Sequence, residues 1–548
     1  MKVETLIIGS GVGAAALAQR LLARDPRASI LMLEAGGTVK MKDAALWQDY
    51  VVSGKLPYDP YQDADYPERG QPGENVSRGG TVMGLSGSRV FTLGGTTIHW
   101  DGWSFRLKPE DFRLHSYTGQ GIDWPISYDE LEPYYGQAER YIGVSGEAKD
   151  CGVPRSTPYP FPAFPYTAED QPVAAAMEKL GIAYGHMPIA RHGVTETTST
   201  HAPCQTTGTC LYCPFGARYS ANNFLNDMVA WGNFPNLEIR LNCFVKEITM
   251  STKHRASGVV YHDRLAGKDV VVEAEQVIVA AGALESPKLL QRSRSSHWTN
   301  GIGNDLDLVG RYLITQPYYA FSADIPANPA RLQPEMAFAT LCSRHFDSVE
   351  EQPKGKFVIG NPPSAPAVNL ASQMQSGRSR ADIDRYVDGT QQLQLIGQIE
   401  IVGAWKDRVS NYGKINSMGM VETAIDFTKP AGFDTRFAEV QAKINRIFEA
   451  MPATPAPNPF LSWRADHACC TTRMSRDETE GVIDRDLKVH GVDNVYVCSN
   501  AAFSSSGSVN PTLTLTALAL RLGDHLSKST TTCTVHPLHH TTKASTIR

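Results

Sequence analysis

Three groups of residues in this chain combine types and spacings that chemistry requires. The first is Gly9-Ser10-Gly11-Val12-Gly13-Ala14, with Glu34 twenty residues beyond Ala14. Gly9 permits a tight turn, Gly11 lets backbone approach a pyrophosphate, and small Ala14 lets a helix lie close to the preceding strand. The first N–H groups of that helix then face the phosphates, and Glu34 falls where a dinucleotide fold places its ribose-binding carboxylate. An ordinary βαβ unit with a glycine turn is the plainer alternative. The second group is Gly94-Gly95-Thr96-Thr97-Ile98-His99-Trp100-Asp101-Gly102-Trp103. Two glycines followed by small polar residues let backbone lie flat against a planar group, with His99 and the tryptophans as polar and aromatic walls. A buried turn with a hydrogen-bonded histidine accounts for the same residues. The third is Cys204, Cys210 and Cys213, with Gly208 to turn the chain and Pro214 after the last thiol. These spacings suit a loop folded around an iron-sulfur cluster. Structural zinc competes, but needs a fourth ligand, for which His201 is the nearest candidate.

The elements that must position these residues are legible in part. Val3-Glu4-Thr5-Leu6-Ile7-Ile8 reads as a strand, Ala15 to Ala18 as the opening of a helix, and Ile30-Leu31-Met32-Leu33 as a second strand ending at Glu34. Residues 38–92, rich in Gly, Pro, Asp and Tyr with little periodicity, read as a long loop over a binding site. Ser127 stands three residues before Glu130, a capping box for a helix running to about Ile142. Farther on, the runs from Gln392 to Val402 and from Val421 to Phe427 alternate as strands do. In the first, Leu393, Leu395, Gly397, Ile399 and Ile401 share one face and Gln394, Ile396, Gln398, Glu400 and Val402 the other. That second face is either suited to hydroxyl-rich ligands or simply solvated.

A chain of 548 residues exceeds the size at which one core keeps growing, so two or more domains are expected. A net charge of -5 without a Lys/Arg-rich run argues against a nucleic-acid partner. The chain contains no apolar run long enough to predict a membrane span. It opens directly on the first strand, without a secretory signal, so it is expected to be made and folded in the cytoplasm. Export remains open to it, folded and carried by a signal-bearing partner subunit. The ten cysteines do not suggest a disulfide scaffold; Cys151, Cys243, Cys342 and Cys498 read as isolated small apolar residues. The Ser-, Thr- and His-rich tail after Leu526 is expected to be disordered.

The N-terminal fingerprint, the Gly94 to Trp100 motif, the DWPISYDELEPYY segment from Asp123, the stretch Val277 to Leu290 and the region from His467 to Leu526 together resemble the glucose-methanol-choline (GMC) oxidoreductase family. The likeness is to bacterial FAD-dependent sugar dehydrogenases, including glucose and gluconate dehydrogenase large subunits and glucoside 3-dehydrogenases. It covers nearly the whole chain, and is weakest over residues 320–455 and the last twenty. The resemblance implies an α/β fold: a discontinuous Rossmann-like FAD-binding domain and an α+β substrate domain with an antiparallel sheet. The expected division is FAD domain over 1–105, a substrate-side insertion over 106–203, the cysteine loop and more FAD domain over 204–310, the substrate domain over 311–455, the last part of the FAD domain over 456–527, and the tail over 528–548.

The resemblance also implies roles. FAD would occupy Gly9, Gly11, Ala14, Glu34, Gly94, Gly95, Thr97, His99, Asn510 and Thr512, with His99 lining the ring; in some members the histidine at that place is bonded to the flavin, and noncovalent binding is expected here. His467, in Asp466-His467-Ala468-Cys469-Cys470, would be the base and Asn510 its positioning partner. Removing hydride from a carbinol needs a base tunable near neutral pH and a donor that holds the oxygen. Asn510, followed by Pro511, also reads as a helix N-cap. Cys470 stands where the family usually has Gly. Cys204, Cys210 and Cys213 would hold a [3Fe-4S] cluster, although the gap before Cys213 is shorter than the family's. Electrons from a sugar or glycoside would leave through it to a cytochrome c acceptor, beside a small partner subunit. The competing function is an oxygen-using oxidase, or a non-catalytic flavoprotein, whose cysteine loop is a structural or docking zinc element.

Overall fold

The apolar run after Val3 becomes the middle of a seven-stranded sheet in the computed structural model. The structure describes residues 1–530 except 59–76, 86, 150–151, 194–201, 208, 231–233, 327–337, 363–373, 389–390 and 416–418. The tail expectation from residue 531 onward, His201, Gly208 and Cys151 therefore lie outside the described residues. Strand Lys2–Ile8 pairs in parallel with Ile30–Leu33 on one side and Lys268–Val279 on the other. A parallel strand covered on both faces needs no polar alternation, which is why Leu6-Ile7-Ile8 and Ile30 to Leu33 are continuous apolar runs. Leu237–Arg240 extends the parallel part beyond Ile30–Leu33, and Val495–Val497 joins Val277 to Val279 in parallel. Arg255–Asp263 and Cys243–Thr252 continue the sheet as an antiparallel ladder. Segments from both ends and the middle of the chain thus build one layer.

Helices Val12–Arg24 and Thr512–Thr530 pack together against this layer. Gly523 makes the approach possible, since a Cβ there would lie 2.6 Å from Arg20 Cγ. Arg20 grips Asp524 with two hydrogen bonds of 2.8 and 2.6 Å, fixing the register of the pair. Helix Tyr128–Ile142 begins on the expected Ser127–Glu130 capping box and joins the same layer through Tyr135, whose hydroxyl lies 2.8 Å from Thr514 Oγ1.

A second seven-stranded sheet is antiparallel, in the order Thr454–Pro455, Tyr318–Ile325, Gln391–Gln398, Ile359–Asn361, Leu341–Ser343 and Gly185–His186, with Phe460–Ser462 also paired to the Tyr318 strand. One face, carrying Tyr319, Phe321, Leu393 and Leu395, is buried beneath helix Phe433–Glu449, where Phe321 and Phe437 stack 5.6 Å apart. The other face carries Tyr318, Ser322, Gln394 and Gln398, with Tyr318 directly opposite Gln398.

Two expectations are corrected. The stretch 38–92 is not all loop: Ala44–Ser53 is a helix, started by the Asp43 side chain and stopped by Gly54 in the left-handed region. It buries only Tyr50, so its apolar periodicity was too weak to read. Val421–Asp426 is a strand, but it belongs to a separate three-stranded sheet with Arg408–Ile415 and Ser77–Arg78. Among the described residues no helix is long and apolar enough to cross a membrane.

Candidate active site

The dinucleotide fingerprint opens onto a deep cavity. Gly9, Gly11, Glu34, Gly95, Thr97, Ala281, Asp466 and Thr512 line it together. A Cβ on Gly11 would meet nothing within 4 Å, so the bare backbone there faces open space. Gly9, at φ +97°, lies against Ala280, whose carbonyl oxygen a Cβ would approach to 2.6 Å. Helix Val12–Arg24 carries no acidic residue in its first turn and no side-chain cap, leaving its N-terminal N–H groups to an anion. The starts of helices Gly282–Arg292 and Thr512–Thr530 border the same cavity, so three positive helix ends converge on it.

Glu34 is buried and accepts from Ser10 Oγ at 2.6 Å and from Gly36 N at 3.0 Å. Burial pushes its carboxyl up to about 7, against those two hydrogen bonds. Ser10 Oγ also accepts from Gly94 N at 3.0 Å, so one hydroxyl ties the fingerprint, the Glu34 carboxylate and the second glycine motif together. Gly94 is required where it stands: at φ +90°, a Cβ would lie 2.3 Å from Asn222 N. Thr97, expected to hold cofactor, gives its hydroxyl to Gly94 O at 2.6 Å and accepts from Ala221 N at 3.0 Å, so it braces the cavity wall from within the protein. Ala14 is fully buried in the helix, away from the cavity lining. The close helix contact expected of Ala14 is made by Gly13 instead, where a Cβ would lie 2.8 Å from Cys498 O.

His467 and Asn510 meet, brought together from segments forty-three residues apart: Asn510 Nδ2 lies 3.2 Å from His467 Nε2. On the other side of the ring, His467 Nδ1 lies 2.7 Å from Gln316 Oε1. The orientation of Gln316 is fixed by its amide nitrogen, which donates to the carbonyls of Gly507 at 2.8 Å and Val509 at 2.9 Å. An amide oxygen only accepts, so Nδ1 carries the ring proton and Nε2 keeps its lone pair toward Asn510. Burial lowers the pKa of His467, with Asp466 and Asp101 opposing the effect, so the neutral ring persists into mildly acidic solution. Asn510 Oδ1 is buried without a hydrogen-bond partner, so the side chain does not cap the helix that follows; it faces the histidine. His99 closes the one-turn helix Gly95–Ile98 and has its pKa lowered by burial, with Asp466, Asp101 and Arg464 as neighbouring charges, the same three that act on His467.

Cys470 adopts φ +72°, a left-handed conformation that explains why glycine would suit the position.

Cys204, Cys210 and Cys213 are free thiols on one half-buried loop. Burial raises the Cys204 thiol; Arg191 opposes this and the neighbouring Cys210 and Cys213 add to it. Yet among the described residues no three His, Cys, Asp or Glu side chains stand ready to hold a metal ion, so the expected ligand set does not fit a cluster as placed. The loop is fastened instead to the backbone beside His99: Tyr58 OH lies 2.9 Å from Leu211 O and 3.0 Å from Ile98 O, between which its one proton is shared, and Arg218 donates to Ile98 O at 2.6 Å and Trp100 O at 2.8 Å.

Residues 73–317 and 418–519 match the two sequence profiles of the GMC oxidoreductases, together more than half the chain. This chain belongs to the GMC oxidoreductase family. The dinucleotide of this GMC oxidoreductase is FAD, and its cavity suits it: open backbone at Gly11, a buried carboxylate at Glu34 and uncapped helix starts. The chain is 26% identical to the fructose dehydrogenase large subunit of Gluconobacter japonicus, over 96% of this chain and 97% of that one. It is 24% identical to a C-glycoside 3-oxidase of Microbacterium trichothecenolyticum, over 97% of each. An FAD-dependent oxidoreductase from Chaetomium thermophilum shares the fold, with a TM-score of 0.61 at 18% identity over 96% of this chain and 99% of that one.

Sequence reasoning missed Ser10, Gly13 and Gln316. Gly13 was readable, because the third glycine of Gly9-Ser10-Gly11-Val12-Gly13 is placed where a helix must approach closely. Gln316 gave no signal: its role depends on carbonyls nearly two hundred residues away.

Proposed function

We propose that this GMC oxidoreductase oxidises a secondary or anomeric hydroxyl of a sugar or glycoside. The observation that carries the proposal is the half-buried His467, held between Gln316 and Asn510 with an unprotonated Nε2. The bound flavin supplies a two-electron acceptor for hydride. The protein supplies the rest: His467 Nε2 takes the hydroxyl proton, and Asn510 Nδ2 turns from the ring to the substrate oxygen and holds it as charge develops. Gln316 keeps the imidazole in the tautomer this requires and, by gripping the 507–509 backbone, sets the distance between His467 and Asn510. Sugars and glycosides are favoured by the two full-length relatives named for fructose and C-glycosides. Oxidation at C1 of free glucose and at C3 of glycosides are the two finer readings. The test is anaerobic: sugars or glycosides should bleach the flavin where choline and simple aliphatic alcohols do not, with product NMR locating the new carbonyl.

Electron exit is a separate part of the proposal. A [3Fe-4S] cluster on Cys204, Cys210 and Cys213, a cytochrome c acceptor and a small partner subunit are supported by three thiols sharing one loop and by a relative that is itself a large subunit. As placed, the thiols would have to converge to hold it. Iron and sulfide analysis of the purified protein decides this part: three iron atoms per FAD support it, and none removes it in favour of an oxidase passing electrons to oxygen.

A further inference from the structure

The polar face of the second sheet carries two side chains that the chemistry above leaves unused. Gln398 is buried, and its Oε1 has no hydrogen-bond partner. Directly across the ladder stands Tyr318, which follows Gln316 at the spacing that returns to the same side of an extended chain. The opposite face is closed: Gly397 packs against the Val358 carbonyl and the Tyr319 hydroxyl. The Gln398 face looks the other way. On it, Gly360, paired with Ile396, lies under the ring of Trp103, close enough that a Cβ would meet that ring at 2.4 Å. Asp101 and Arg464, the charges that act on both His99 and His467, also act on the Tyr318 phenol. Tyr318, two residues beyond the Gln316 that holds His467, and Gln398 across the ladder thus stand side by side, one able to donate and the other an acceptor without a partner.

We propose that Gln398 and Tyr318 form the wall that reads substrate hydroxyls: Gln398 Oε1 accepts from, and the Tyr318 hydroxyl donates to, hydroxyl groups flanking the carbinol held by His467 and Asn510. This rests on the sugar or glycoside reading above and names the residues that make it selective. A substrate with only one hydroxyl leaves the buried Gln398 oxygen unpaired, which is how a site built to hydrogen-bond rejects an analogue lacking the group. Of the polar face expected from the sequence, Gln394 lies farther along, 3.4 Å from Ser322 Oγ. Glu400, past the strand's end, is buried beside Lys356, Asp111 and Asp347, with its carboxyl pushed up to about 8 by that burial.

The experiment compares FAD-loaded wild type, Gln398→Leu and Tyr318→Phe by anaerobic stopped flow. The panel is D-glucose, D-fructose and methyl α-D-glucoside, with 1-butanol as the single-hydroxyl control. Each substitution should weaken apparent binding of the best polyol about tenfold or more, leave the limiting reduction rate within about threefold, and narrow the preference for that polyol over 1-butanol. Tyr318→Phe removes a single oxygen, so it carries the test alone if Gln398→Leu loses FAD. Unchanged polyol binding in a folded, FAD-loaded variant overturns the inference. Failure of every sugar to bleach wild type would instead overturn the proposed substrate class, and the two failures are thereby told apart.

Discussion

Gln316 Oε1 sits 2.7 Å from His467 Nδ1, and its amide nitrogen is fixed by the carbonyls of Gly507 and Val509 that lead into Asn510. One side chain therefore sets both the tautomer of the base and the placement of its partner. Gln316→Leu should retain FAD and lower flavin reduction by about 10-fold to 100-fold. Its effect should be less than additive with Asn510→Ala, because the two act through one arrangement. Full additivity in that double-mutant cycle would separate Gln316 from the Asn510 loop.

The pH profile follows from the burial of His467. Its pKa is lowered from the usual 6.5, so the proton-accepting form should survive below pH 6.5. Flavin reduction at saturating sugar should stay level from neutral pH down through 6.5 and decline only in more acidic solution. The same shift means folding excludes a proton, so stability from this group is present above 6.5 and is lost as pH falls toward the folded pKa. An inflection at or above 6.5 that disappears in a His467 variant would contradict this.

At Gly11 the pocket, not the protein, needs the missing side chain. Its φ of -66° suits any residue, and a Cβ there meets nothing. Gly11→Val should fold with a thermal midpoint near that of the FAD-free wild type, yet purify without FAD. Purification with one FAD per chain would misplace the pyrophosphate.

Cys470 is held at φ +72°. Cys470→Gly should keep FAD and a reduction rate within about twofold of wild type, since relief of strain offsets the lost side-chain contacts. Cys470→Val, β-branched in the same conformation, should cost about 2 kcal/mol or more in denaturant unfolding. Equal destabilisation by both would mean that packing, not backbone conformation, governs the position.

The dinucleotide half of the site was readable because its requirements are local: a turn at Gly9, open backbone at Gly11, and Glu34 one strand away. The Ser127–Glu130 cap was readable for the same reason. Alternation alone separated Gln398 from the face of Leu393 and Leu395, but which of the two faces is closed by packing depended on Gly397 lying against Val358 and Tyr319, a contact between distant strands. Gln316 and Ser10 were invisible, since a hydroxyl or amide becomes functional only through partners far along the chain. The helix Ala44–Ser53 escaped because a surface helix with one buried residue leaves almost no periodicity.

The most direct test of His467 as the base is anaerobic stopped-flow reduction of FAD-loaded His467→Ala by the sugar that best bleaches wild type. The rate at saturation should fall by on the order of 10² to 10⁴, with FAD content and thermal midpoint unchanged. Reduction at the wild-type rate would remove His467 from the reaction.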